Sequence, residues 1–471
     1  MKCNVKTRFS PSPSGFLHLG NIRTALYSWL FSKNQGGKFI LRIDDTNLNC
    51  VKEESISDVL ESLKWLGLYW DEGPYFQRKR FDRYNEVLNK MLLDGYAYKC
   101  YCSKERLNIL RNFQIIHGQK PRYDGYCRNY INKNNFDKNY FVVRLCSPEQ
   151  GKTVFFDLIR GFIEFNNLEL DDFIIKKSDG SLTYNFCSVI DDIDMGITHI
   201  FRGEEHINNT PKQINIFKFL KAKEPKYVHL SMIFGCDKKK LSKRDNSSGI
   251  IQYREMGFLP EALLNYVVRL GWSHKNKEIF DLNEMVELFN INNINKSSSI
   301  LNEGKLLWLN KYYINKLPVE IIYKYLTSYM KNKYLFTKYS YSMLTQLICV
   351  FRNRCNTLKD IVVNFDNFFN NFNNINSNLI KKFFLNKKSK ELLYIFRDEL
   401  YSINIWTLEN ISFLLRDIAK KLNLNVSDVN MPIRVAITGS DKSPNLALMI
   451  YILGKKMSIS RISSVLDHIK R

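Results

Sequence analysis

Three things are scarce in this chain of 471 residues: acidic side chains, cysteine and long apolar runs. Asp and Glu number 47 against 70 Lys and Arg, a formal charge of +23. Such a balance gives a field suited to a large polyanion, and nucleic acid is the leading partner. The Lys excess travels with Asn and Ile in NINNINKSSS (290–299) and NFDNFFNNFNNINSN (364–378), so drift of an AT-rich genome competes with function as its origin. Ten cysteines in so long a chain, outside any secretory context, read as reduced thiols or metal ligands rather than a disulfide framework. No stretch reaches the roughly 20 apolar residues of a membrane span. Met1 to Ser10 holds no apolar run, and Arg8 falls before an h-region could form, so no signal peptide is expected. The expected location is the cytoplasm.

What is present suffices for folding. The chain is 45% hydrophobic and 14% aromatic, which excludes a disordered polyelectrolyte. At roughly 100 to 200 residues per domain its length fits three to five domains. KCNVKTRF (2–9) and KFILRI (38–43) are β-prone, and NIRTALYSWLFSKN (21–34) between them has helical spacing, which together make a βαβ unit. Its first turn, SPSPSGFLHLG (10–20), is where a parallel sheet presents ligands. After EGPYFQRKR (72–80) come a helix-like stretch to Tyr98, a Cys- and Tyr-rich segment to Tyr130, and strand-like pieces NYFVVRL (139–145) and KTVFFDLI (152–159). VIDDIDMGITHIFRGEE (189–205) resumes the buried-strand pattern, so an insertion is expected to split the nucleotide fold. From GFLPEALLNYVVRLGW (257–272) onward the apolar period is 3.6, with breaks expected at Pro318 and Pro432.

Two constellations carry chemistry. In Pro11-Ser-Pro-Ser-Gly15-Phe-Leu-His18-Leu-Gly20 the glycines admit close backbone approach, the prolines stiffen the turn, and the following helix aims its positive N-terminus at the site. His18 is placed to donate to a phosphate oxygen whose charge grows in a transition state. Alone, such a turn is more often structural. Lys238-Lys-Lys240-Leu-Ser242-Lys243-Arg244 packs five cations into seven residues that repel one another unless an anion neutralises them. Alone, it is an ordinary solvated run. Together they can clamp one nucleotide from two sides.

These motifs resemble the "HIGH" and "KMSKS" signatures of class I aminoacyl-tRNA synthetases. TRFSPSPSGFLHLGNIRTALYSWLF (7–31), RIDDTN (42–47), SDGSLTYNF (178–186), FRGEEHINNTP (201–211), GFLPEALLNYVVRLGW (257–272), KLLWLNKYYI (305–314) and MPIRVAITG (431–439) resemble glutamyl-tRNA synthetase of the bacterial type, essentially end to end. The resemblance implies an α/β Rossmann-like catalytic domain with an α+β insertion, followed by a mainly α-helical tRNA-binding region. Its parts would be residues 1–80 and 189–245 for the catalytic fold, 81–188 for an insertion approaching the tRNA acceptor end, 246–320 for a helical stem-contact domain and 321–471 for the anticodon-binding region. It implies a glutamate–tRNA ligase that uses ATP with Mg²⁺, forms glutamyl-adenylate and releases AMP and diphosphate, acting as a monomer on tRNA(Glu).

By the same resemblance Arg8, Ser12, Asp44, Tyr184 and Arg202 would hold glutamate; two arginines suit a substrate with two carboxylates, and Asp44 can meet the α-ammonium. ATP would lie against Gly20, Glu205, Lys240, Ser242 and Lys243, with His18 and Lys243 as the catalytic pair. Where the family shows Arg-Ile-Glu-Asp-Thr-Asp, this chain has Arg42-Ile-Asp44-Asp-Thr-Asn47, a shorter arm at 44 and one charge fewer at 47. Cys100, Cys102 and Cys127 resemble three ligands of a zinc site found in some members, but Asn129 stands where the family has His, so a fourth ligand is missing and His117 or water would have to replace it. FRNRCNTLKD (351–360) resembles the anticodon-reading segment, with Arg354 at the position associated with the third anticodon base. Lys6, Arg122, Lys305 and Lys311 are further candidates for phosphate contact. A glutaminyl-tRNA synthetase would carry a β-barrel anticodon part, a shortened enzyme that glutamylates a tRNA base would lack the C-terminal part, and a non-catalytic RNA-binding relative would have no need of intact His18, Lys243, Arg8 and Arg202.

Overall fold

The computed structural model describes residues 5–46, 51–129, 141–235, 237, 249–330, 334–369, 377–384 and 387–470. Two compact units form, one from Met1–Tyr253 with Pro260–Leu306 and one from Arg254–Leu259 with Leu307–Arg471.

The first unit opens with β1 (Lys6–Phe9), α1 (Leu19–Asn34), β2 (Lys38–Ile43), α2 (Glu53–Trp65), β3 (Glu72–Phe76) and α3 (Phe81–Leu93). It continues through β4 (Ala97–Cys100), α4 (Lys104–Ile116), α5 (Tyr126–Asn129), β5 (Val142–Leu145), β6 (Lys152–Asp157), β7 (Gly161–Asn166) and β8 (Ile174–Lys176). Then follow α6 (Tyr184–Asp194), β9 (His199–Gly203), α7 (Thr210–Phe219), β10 (Lys226–Leu230), β11 (Ile233–Phe234) and, after several helices, β12 (Ser299–Ile300). Seven strands make one sheet in the order β3-β2-β1-β9-β10-β6-β7. All neighbours in it are parallel except the β6–β7 hairpin. The near-continuous apolar run of β2, buried in five of its six residues, is what a parallel strand covered on both faces requires.

β1 lies between β2, reached through α1, and β9, which arrives about 190 residues later. The crossovers diverge at this point, so a crevice opens beyond the C-terminal ends of β1 and β9. One face of the sheet is sealed by Ile40, Phe155, Ile197, Ile200, Ile214 and Tyr227, each worth about 1.5–3 kcal/mol when fully buried. A second core joins Tyr84, Leu88 and Met91 of α3 to Val143, Leu145, Ile175, Phe186 and Ile190, fixing α6 against the small β4-β5-β8 sheet.

Two details differ from the sequence reading. The β6–β7 hairpin falls within the stretch read as an insertion, yet β6 pairs with β10 and so extends the main sheet. Its alternation of exposed and buried residues is visible in the chain, but its partner lies some 70 residues away and is not. In the second unit, which is helical throughout among the described residues, Pro318 caps Val319–Tyr329 as expected, whereas Pro432 does not break the chain. It sits inside the helix Val426–Thr438, buried on the same face as Val429, Ile433 and Ala436, and that packing offsets the one backbone hydrogen bond a proline removes.

Candidate active site

The turn after β1 is held open by its own hydrogen bonds. His18 caps α1: its Nδ1 accepts from Gly20 N–H at 3.1 Å, while Asn21 Oδ1 accepts from His18 N–H at 3.2 Å. An accepting Nδ1 puts the proton of the neutral ring on Nε2, so the ring offers a donor on that side. A Cβ at Gly20 would stand 3.0 Å from His18 Cε1, and glycine there keeps the ring seated. No acidic residue occupies the first turn of α1, leaving the positive end of its dipole to an anion. Asp44 N–H donates to Pro11 C=O at 3.0 Å and ties the end of β2 to this turn.

A cavity of about 490 Å³ opens at these strand ends, and Arg8, Ser12, His18, Gly20, Asp44, Tyr184, Arg202 and Glu205 all line it. Eight residues singled out in four separate stretches of sequence thus face one space. Lys240, Ser242 and Lys243, with Asn47, lie outside the described residues. Glu205 is exposed at the rim, and a side chain at Gly203 would strike its carboxylate.

Of the three arginines lining the cavity, Arg8, Arg23 and Arg202, the two assigned to glutamate, Arg8 and Arg202, have different partners. Arg8 lies on Asp192 through Nε at 3.2 Å and Nη2 at 3.4 Å. Asp192 also accepts from Arg42 Nη1 at 2.7 Å, and Arg42 Nε reaches Asp44 at 2.7 Å. This chain of four charges is buried throughout. Burial works against the charge on Arg42, but Asp44, Asp192 and Asp191 outweigh it and raise its pKa well above the ordinary value. Burial would raise Asp192 too, yet Arg8 and Arg42 hold it below the usual carboxylate range. Burial wins at Asp44, which is pushed up to about 6 despite Arg42. Asp45 turns away from the cavity: its Oδ1 accepts from Arg78 N–H at 2.9 Å and its Oδ2 forms an ion pair with Arg78 Nε at 3.1 Å.

Arg202 donates to His229 Nε2 at 3.0 Å, Gln213 Oε1 at 2.7 Å and Thr210 Oγ1 at 2.6 Å, and its guanidinium lies 5.3 Å from the Tyr227 ring centre. It forms no ion pair among the described residues, and burial lowers its pKa from the ordinary arginine value. Tyr184, at the start of α6, lies 6.0 Å ring to ring from His206, which burial holds down to about 4.

The three cysteines also come together, with their sulphurs within 4.8 Å of one another and Cys102 Sγ 3.5 Å from Cys127 Sγ. A tetrahedral zinc with bonds of about 2.3 Å sets ligand sulphurs about 3.8 Å apart, so the spacing fits. The side chain of Asn129 lies outside the described residues. The Tyr123 hydroxyl stands 3.4 Å from Cys100 Sγ and 3.5 Å from Cys102 Sγ, a fourth donor that the family pattern did not point to. His117 instead bonds Phe113 C=O through Nδ1 at 2.8 Å. In the second unit Arg354 is exposed at the end of a short helical turn, Arg352–Arg354, and its charge helps to lower the pKa of Arg434, after burial. Lys6 and Lys305 are paired with Glu72 and Glu278.

Sequence reasoning passed over Arg42, Asp192, His229, Gln213, Thr210 and Tyr123. A signal existed for one of them: buried arginines on strands require carboxylates, and Asp191-Asp192 is the acidic pair of a buried-looking stretch.

A doubly wound sheet with an anion-ready helix N-terminus at its switch point is a nucleotide-binding enzyme fold, and the chain belongs to the class I tRNA synthetases (E and Q), whose catalytic-domain profile matches residues 4–308. An anticodon binding domain profile matches residues 321–466. At closer range it is similar to a glutamate–tRNA ligase of Blochmanniella floridana, 48% identical over 478 aligned residues and covering 99% of each chain. Among solved structures it resembles a glutamate tRNA ligase from Elizabethkingia meningosepticum in complex with its amino acid, at 30% identity and a TM-score of 0.85 over 99% of this chain and 100% of that one. Glutamate-tRNA synthetase from Elizabethkingia anophelis matches at 30% identity and a TM-score of 0.81, over 98% of this chain and 100% of that one.

Proposed function

We propose that this chain is a glutamate–tRNA ligase whose active site is the cavity at the ends of β1 and β9. The observation that carries the reading is the convergence of Arg8, Asp44, Tyr184, Arg202 and His18 on that space. Glutamate offers two carboxylates and an ammonium. Arg202, which has no carboxylate of its own, takes the side-chain carboxylate; Asp44 takes the ammonium, and Ser12 and Tyr184 add hydroxyl contacts. ATP enters as its Mg²⁺ complex against Gly20, Glu205 and the 240–243 loop. The glutamate α-carboxylate attacks the α-phosphorus and diphosphate leaves. His18, donating from Nε2, and Lys243 steady the charge that grows on the phosphate oxygens. A ribose hydroxyl of the terminal tRNA adenosine then attacks the adenylate carbonyl, and AMP departs. No protein nucleophile is needed.

Further parts of the reading rest on the same resemblance. Arg354 beside Arg434 reads the anticodon loop. Cys100, Cys102, Cys127 and the Tyr123 hydroxyl hold one Zn²⁺ that braces the insertion. No helix of the described residues is long and apolar enough to cross a membrane, and the protein works as a cytoplasmic monomer. Charging of purified tRNA(Glu) and tRNA(Gln) side by side tests the function: efficient transfer of glutamate to tRNA(Glu) is expected, and failure to charge either tRNA would sink it. Metal analysis of the purified chain should find one zinc, lost in Cys102→Ser.

A further inference from the structure

Arg202 is held by groups that orient it without neutralising it. Its register partner across the β9–β10 ladder is His229, so the two side chains share one face of the sheet. His229 Nδ1 is 2.7 Å from Asp157 Oδ2, and that same oxygen accepts His229 N–H at 3.0 Å. The other carboxylate oxygen takes the N–H groups of Ile159 and Arg160. With its Nδ1 proton committed to Asp157, the ring presents the Nε2 lone pair to Arg202 Nε–H. Thus the nearest carboxylate in this chain of contacts stays one imidazole away from the guanidinium. Gln213 is fixed in the same sense: its Nε2 donates to Asn185 Oδ1 at 3.1 Å, which leaves Oε1 for Arg202. Arg8 and Arg42, on the neighbouring strands, lie directly on carboxylates.

We propose that this neutral cradle of His229, Thr210 and Gln213 makes Arg202 discriminate glutamate from glutamine; the proposal rests on Arg202 as the side-chain carboxylate site. A guanidinium already neutralised by the protein gains little from an incoming carboxylate over an amide, because both offer it acceptor oxygens. One oriented by neutral acceptors in a water-poor site gains a full charge–charge attraction from glutamate alone. Specificity is then the difference between those two gains. Gln213, His229 and Thr210 are positioning residues, acting through Arg202.

Gln213→Glu places a carboxylate at nearly the same position with no change of size, and Asn185 can turn its amide to donate to it. Gln213→Met removes the acceptor without adding charge. In the full-length chain, the KM for glutamate and the inhibition constant of glutamine as competitor are measured in tRNA(Glu) charging, with thermal melting of each variant. Gln213→Glu should cut the glutamate-to-glutamine preference at least about tenfold while turnover at saturating glutamate stays within about threefold. Gln213→Met should weaken both amino acids together and leave the preference within about threefold. If Gln213→Glu melts early, His229→Glu brings a carboxylate to Arg202 by another route and carries the same expectation. An unchanged preference in the carboxylate variants, or an equal drop in Gln213→Met, overturns the proposal. Arg202→Met separates the layers: an unchanged glutamate KM there removes the assignment of Arg202 itself, whereas a raised KM beside an unchanged preference in Gln213→Glu removes only the cradle.

Discussion

Arg8 and Arg202 stand on adjacent strands, line one cavity and are almost equally buried, at 4% and 5% exposed. Arg8 shares Asp192 with Arg42, which in turn holds Asp44, so that half of the cavity carries balanced charge. Arg202 meets only neutral acceptors. A buried cation without a counter-ion is costly, and one kept at a cavity wall is a standing preference for an anionic ligand. On the proposed reading, the balanced half serves the fold first and the unbalanced half serves recognition.

Perturbations should separate the two halves, and the largest lies in the chemistry between them. His18→Ala or Lys243→Ala should slow aminoacylation by roughly two to four orders of magnitude, with the glutamate KM nearly unchanged. Collapse of glutamate affinity with turnover intact would reverse the assignment. Asp192→Asn, which strips the shared carboxylate from Arg8 and Arg42, should cost about 3–5 kcal/mol in chemical denaturation. A loss well under 1 kcal/mol would mean that the balanced half is not structural. Arg202→Met should barely move stability but raise the glutamate KM by about ten- to a hundredfold. Among the groups proposed to hold glutamate, Asp44 gives the expected pH response. Its carboxyl titrates at about 6 and binds the ammonium when charged, so the KM should rise as pH falls through that value, about fourfold by pH 5.5. Asp44→Asn should start higher and lose that limb. Arg354→Gln should have the smallest effect, a change of several-fold in tRNA(Glu) KM with adenylate formation untouched.

The parts of this architecture legible in the chain are those written locally. The βαβ opening, the Gly/Pro turn and the helical C-terminal half follow from periodicity and turn chemistry, and α1 begins at Leu19, two residues before the read boundary, because His18 caps it. Of the eight cavity residues, His18 and Gly20 stand out by turn chemistry, and the other six follow from the resemblance to glutamyl-tRNA synthetase. What the sequence withheld is pairing across long separations. Asp192 meets Arg8 across 184 residues, and His229 meets Asp157 across 72; only the strand order brings them together. The β6–β7 hairpin joined the main sheet for the same reason. Tyr123 was invisible as a neighbour of the cysteines because its hydroxyl reaches them only through the local folding of residues 100–127.

The glutamate KM of Arg202→Met in charging of tRNA(Glu), set beside the wild type with a melting curve for each, bears most directly on the unbalanced arginine. The account predicts unchanged melting and a KM raised by at least about tenfold. An unaltered KM, or a rise matched by a large loss of stability, would contradict it.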